Sequence, residues 1–105
     1  MGVLISKLNY HKNKMKTITK QTIEKYRKIT TKAYNIAKQS INKKKKSEAK
    51  EILEMTKCYL DDSKHFQEKG DYVNAFGAIY YAHGWLDCGA RLKIFNVTDD
   101  KLFTL

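Results

Sequence analysis

The sequence predicts an all-α protein: an antiparallel three-helix bundle with helices over about 17–42, 47–69 and 71–95, a flexible N-terminal tail and a short C-terminal tail. Three observations carry this expectation. Apolar residues recur at three- and four-residue steps through most of the chain, the period of a helix that buries one face. None of the 105 residues is proline, so no helix interior meets the ~3 kcal/mol that proline costs there. Gly70-Asp71 places a helix stop directly before a helix start, which fits a tight antiparallel turn. A chain of this length holds one domain, divided here into a loose tail over 1–16 and a bundle over 17–105.

The tail shows no clear period, and Met15 followed by Lys16-Thr17 reads as an alternative start. In helix 1, Ile18, Thr22, Tyr26, Ile29, Ala33, Ile36, Ala37 and Ser40 fall on one face. Lys20, Glu24, Arg27, Lys28, Lys32 and Lys38 fall opposite. Lys43, Lys44, Lys45 and Lys46 form a charged connection. Ser47 is the expected N-cap of helix 2, with Glu48 and Glu51 in a first turn whose dipole favours acids. Its buried stripe is Ala49, Ile52, Leu53, Thr56, Tyr59, Leu60, Ser63 and Phe66. Asp71 is the expected cap of helix 3.

Helix 3 is apolar on nearly every side. Ala75, Ile79, Leu86 and Ala90 make a core face, and Tyr81, Trp85, Cys88 and Leu92 make a nearly opposite one. Gly77, Gly84 and Gly89 sit inside it, each costing about 1 kcal/mol relative to Ala, a cost usually offset by close approach of another backbone. A central helix touching both neighbours explains this, and so does a face that meets a second chain. Tyr81, Trp85 and Leu92 are therefore the candidate interface. Beyond Asn96-Val97-Thr98-Asp99-Asp100, Leu102, Phe103 and Leu105 are expected to pack back on the bundle.

Charge is divided along the chain. Residues 1–46 hold fourteen Lys/Arg against one acid, Glu24, a local +13; residues 47–105 hold seven against ten, a local −3, giving the net +10. Lys20, Arg27, Lys28, Lys32, Lys38, Lys43, Lys44, Lys45 and Lys46 are candidates for weak, nonspecific, salt-sensitive contact with RNA or DNA phosphates. The same residues also follow from an AT-rich coding sequence, which favours Lys, Ile, Asn and Tyr without selection for binding. Cys58 and Cys88 make no disulfide framework and suit free thiols in a reducing, cytoplasmic setting. No apolar run is long enough to span a membrane.

His83, Asp87 and Arg91 stand at i, i+4 and i+8, one column of a helix. The column reads as a paired polar seam, or as a carboxylate-oriented His beside an anion-receiving Arg. No side chain is placed as an obvious nucleophile, so no enzyme activity, catalytic residue or cofactor is assigned. Asp61, Asp62 and His65 lie within one turn, but Asp61 and Asp62 point about 100° apart, so only two of the three can converge and no metal site is assigned.

The run from Ala49 to Phe95 resembles the archaeal DUF357 family. Ala49-Lys50-Glu51-Ile52-Leu53-Glu54-Met55, Glu68-Lys69-Gly70-Asp71-Tyr72 and Tyr81-Ala82-His83-Gly84-Trp85-Leu86-Asp87-Cys88-Gly89-Ala90-Arg91-Leu92 carry the resemblance. It implies an archaeal, intracellular three-helix bundle and no particular activity. A weaker likeness to HEPN-type helical domains rests on Glu68-Lys69-Gly70-Asp71-Tyr72. Their ribonuclease pattern, Arg followed four to six residues later by His, is absent. The expected function is that of an interaction module, self-associating or partner-bound through helix 3. The alternative is a nucleic-acid-binding accessory using the basic face of helix 1.

Overall fold

The computed structural model describes residues 16–105. The expected tail over 1–16 therefore lies outside the described residues, apart from Lys16. Among the described residues the chain forms three α-helices: α1 (Lys20–Lys38), α2 (Lys46–Glu68) and α3 (Tyr72–Arg91). A single 3-10 turn, Lys43–Lys45, precedes α2. The all-α three-helix architecture is as expected. The central element is α3, which packs on both other helices, whereas α1 and α2 meet each other far less.

Helix boundaries follow their caps. α1 starts at Lys20, three residues later than the pattern suggests, because Thr19 takes the N-cap and its hydroxyl accepts the Thr22 amide at 3.2 Å. It stops at Lys38, not near residue 42. α2 starts at Lys46, and the Ser47 cap is corrected: the 3-10 turn runs directly into the helix and leaves no break for a capping hydroxyl. Asn42 caps that turn instead, its Oδ1 accepting the Lys44 amide. At the far end, Gly70 adopts φ 78°. The Asp71 amide reaches back to the Phe66 carbonyl and the Gly70 amide to Gln67, closing the helix in a Schellman motif. Asp71 then caps α3 as expected, accepting the Asn74 amide at 3.1 Å.

α3 ends at Arg91 rather than Phe95. Lys93 takes φ 59°, and the Ile94 amide returns to the Gly89 carbonyl at 2.8 Å. The chain reverses and lays Phe95 over Gly89. A Cβ at Gly89 would sit 2.5 Å from Phe95 Cε2 and 3.2 Å from Ile52 Cδ1, so only glycine admits this packing. An isolated antiparallel bridge joins Ile41 to Phe95, with Asn42 N–H to Ile94 O at 2.9 Å and Asn96 N–H to Ser40 O at 2.7 Å.

The core has two parts. One gathers Ala33, Ala37, Ile52, Leu53, Leu86 and Phe95 with Leu102 and Phe103. The other is built on Ile23, Tyr26, Ala75 and Ile79; Tyr26 meets Phe76 edge-on at 5.6 Å. The expected stripes of α2 and α3 face the core. The stripe of α1 is right in part: Tyr26, Ala33 and Ala37 are buried as expected, but Ile23 and Thr30 join them, and Ile18, Thr22 and Ser40 are only half-buried. Leu102 and Phe103 pack back as expected, whereas Leu105 is exposed.

A left-handed lysine costs roughly 1 kcal/mol against glycine. Lys93→Gly is therefore expected to stabilise the fold by about that amount, read as a raised denaturation midpoint. Gly89→Ala is expected to lower it by several kcal/mol, by displacing the Phe95 ring.

Candidate functional site

Three candidate regions were read from the sequence, and the structure sets each in a different environment. The His83 column lies at the contact between α3 and the C-terminal segment. His83 is fully buried. Its Nε2 lies 2.7 Å from the Leu102 carbonyl oxygen. A carbonyl only accepts, so Nε2 carries the proton. In the neutral ring Nδ1 then accepts from the Thr30 hydroxyl, 2.9 Å away on α1. Asp87 stands 3.7 Å from Nε2 and accepts from the Thr104 amide at 2.9 Å and the Thr104 hydroxyl at 3.2 Å. Arg91 donates through Nη1 to the Leu105 carbonyl at 3.2 Å. The column is thus occupied by the chain's own residues 102–105, with Thr30 joining α1 to the same centre. Sequence reasoning missed Thr30, because it stood outside the stripe assigned to α1.

The second region is the outward face of α3. Val73, Tyr81 and Leu92 are 71%, 55% and 60% exposed, and Gly77, Gly84 and Cys88 are exposed between them. A Cβ added at Gly77 or Gly84 meets nothing within 4 Å. Among the described residues these two glycines therefore have no neighbour to explain them, unlike Gly89. Tyr81 stacks at 4.5 Å on Tyr59 of α2 and edge-on at 6.4 Å to Trp85. Trp85 is half-buried, and its indole N–H has no acceptor among the described residues. Of the expected interface, Tyr81 and Leu92 are exposed, and the half-buried Trp85 meets Tyr81.

The third region is basic. Lys20, Lys28, Lys32, Lys38, Lys43, Lys44 and Lys46 are exposed and Lys45 half-buried. Lys38 lies over the Tyr34 ring at 5.8 Å from its centroid. Arg27 differs from the outward position expected for it. Its guanidinium turns toward α2, donating from Nε to Ser63 Oγ at 3.0 Å and from Nη2 to the Ser63 carbonyl at 3.3 Å and to Gln67 Oε1. The Ser63 hydroxyl in turn donates to the Leu60 carbonyl at 2.6 Å, which holds it still. Of the weak metal candidates, Asp61 instead pairs with Lys57 at 3.3 Å.

No described helix is long and apolar enough to cross a membrane. Fold and site together define a small three-helix protein with a closed core, an open apolar helix face and a basic side. The chain belongs to the DUF357 family, described as a protein of unknown function, whose profile matches residues 25–95. No curated protein and no solved structure matches it significantly. The family match ends at Phe95, so Leu102–Leu105, which the His83 column holds, lie beyond it.

Burial holds the His83 ring below its ordinary pKa of 6.5, against the opposing pull of Asp87 and of the Leu102 hydrogen bond. The unfolded chain therefore takes up this proton first as pH falls. The contribution of His83 to stability is complete above about pH 6.5 and is lost below it. Denaturation midpoints across pH 7.5 to 5 are expected to fall, and His83→Gln is expected to flatten that slope while lowering the midpoint at pH 7.5.

Proposed function

We propose that this protein is a helical interaction module that self-associates through the outward face of α3. The observation that carries the reading is the pair Gly77 and Gly84, exposed in a helix interior with open space where a side chain would stand. Each costs about 1 kcal/mol relative to Ala, and close approach of a second helix returns that cost.

The occupant we favour is a second copy, because the stripe is complementary to itself. Set two α3 helices antiparallel about a twofold axis between Tyr80 and Tyr81. Gly77 then faces Gly84 of the second copy, and Val73 faces Cys88, along about 22 Å of helix. Both pairs satisfy one register, as a symmetric interface requires. The stripe is also uncharged. The charged residues of α3 are Asp87 and Arg91, and both reach the C-terminal segment of their own chain. A second copy therefore makes no like-charge contact along the stripe, despite the net +10. Exposed Cys58 and Cys88 support a reducing, cytoplasmic setting for such an assembly.

Cross-linking tests the register. In a Cys58→Ser background, Val73→Cys is expected to give a disulfide-linked dimer on mild oxidation, through Cys88 of the second copy. The same background with Val73 intact is expected to give none, since its two Cys88 residues lie at opposite ends of the contact. Gly84→Glu is expected to dissociate the dimer in sedimentation equilibrium while leaving the monomer as stable or slightly more so. A wild-type protein that is monomeric at high concentration would sink the reading.

A further inference from the structure

The sparse contact between α1 and α2 leaves a groove of about 650 Å³ along their outer side, within the size range of small-ligand sites. Arg27, Lys28, Lys32 and Lys64 line it against one acid, Glu24. Thr31, Asn35 and Gln39 add neutral polar groups along the same wall. A second hollow beside it is also lined by Arg27 and Lys64, with Lys20, Glu68 and Tyr72.

Arg27 separates this groove from an ordinary solvated face. It is half-buried and fixed by three hydrogen bonds to α2, all to neutral oxygens. Among the described residues no carboxylate comes within ion-pair distance of it, and Glu24, one turn back on the same helix, acts on its charge only from further away. Its Nη1 amino group takes part in none of the three bonds. The result is a rigid, partly desolvated cation with two N–H groups unclaimed by those contacts, and with lysines on both helices beside it. With Nε and Nη2 held by Ser63 and Gln67, Nη1 is the group left to donate to a phosphate oxygen, in a charge-assisted hydrogen bond. Lysines around it add charge without geometric demand.

We infer that the α1–α2 groove is a phosphate-binding site centred on Arg27, with Lys28, Lys32 and Lys64 completing its charge. The ligand is a phosphate-bearing anion, either a strand of nucleic acid contacted through its backbone or a free phosphorylated compound. The site is separate from the α3 stripe: the residues lining the groove and those lining the hollow beside Trp85 do not overlap.

The test is fluorescence anisotropy with a labelled single-stranded oligoribonucleotide at low salt, together with calorimetric titration of inorganic pyrophosphate, both on the full chain. The oligonucleotide is expected to bind with an affinity that falls steeply with salt. Lys28→Gln/Lys32→Gln, at two exposed positions, is expected to weaken binding about tenfold and to lower the salt slope by about 1.4, roughly 0.7 per lysine on a single strand. Arg27→Lys keeps the charge but cannot hold the cation against Ser63 and Gln67 while still donating from a free Nη1, and is expected to weaken binding by a similar factor, with a thermal melt confirming the fold. Oligonucleotide binding with this residue dependence supports the site with strand phosphates as its ligand. Pyrophosphate binding with the same dependence supports it with a free phosphate compound. Two results overturn it: no binding of either at low salt, or binding indifferent to these changes and lost instead when Lys43, Lys44, Lys45 and Lys46 are all changed to Gln.

Discussion

The ring of Phe95 rests on the backbone of Gly89, and one whole end of the bundle is arranged around that contact. For Phe95 to arrive there the chain must reverse within four residues of Arg91, which places Lys93 in the left-handed region. The reversal brings the backbone beside Ile41, so the exits of α1 and α3 pair. It also aims the following residues back along α3, where Leu102 and Phe103 close the core. Two helices that scarcely touch each other are thus held in place by a third and by the segment that follows it. The lone positive φ of a lysine costs little beside the burial of Phe95, Phe103 and Leu102 that it allows; each such side chain contributes about 1.5–3 kcal/mol.

His83 and Arg27 show how two polar side chains in one small fold come to different ends. Each leaves its own helix and touches a neighbour. His83 is enclosed, and both ring nitrogens are satisfied within the chain, one by Thr30 and one by the carbonyl of Leu102. Its burial is offset by complete pairing. Arg27 is enclosed on one side only, and its acceptors bear no charge. Fixed by neutral oxygens, it is oriented without being neutralised. The difference lies in the partners rather than in the residue types, and it decides which of the two has interaction capacity left for a ligand.

Those partners were beyond the reach of the sequence, while most of the helices were not. Periodicity placed the faces of α2 and α3, and Gly70-Asp71 located the turn between them, because these signals are local. The face of α1 was legible only in part: Tyr26, Ala33 and Ala37 lie in it as the period implies, whereas Ile18, Thr22 and Ser40 suggest one edge of the stripe and the approach of α3 buries the other, through Ile23 and Thr30. The end of α3 was hidden because lysine carries no left-handed signature. The i, i+4, i+8 spacing correctly aligned His83, Asp87 and Arg91. Their partners, Leu102, Thr104 and Leu105, come from a segment with no period of its own. Gly77, Gly84 and Gly89 look alike in the sequence, and only the position of Phe95 shows that one of them is explained within the chain.

In the proposed assembly the apolar stripe of α3 and the basic groove of α1 and α2 take separate parts. The first half of the chain holds the excess positive charge and the groove; α3 holds almost none and turns an uncharged face outward. A dimer formed on α3 buries the surface where like charges do not meet and leaves the grooves on the remaining sides. Twofold symmetry then supplies two Arg27-centred sites per particle. A polyanion long enough to span both engages the second at a high effective concentration and gains affinity without any new contact. A single pyrophosphate gains nothing from the second site. Dissociating the dimer is therefore a way to distinguish the two ligands: Gly84→Glu lowers the affinity for a long strand and leaves that for pyrophosphate as it was.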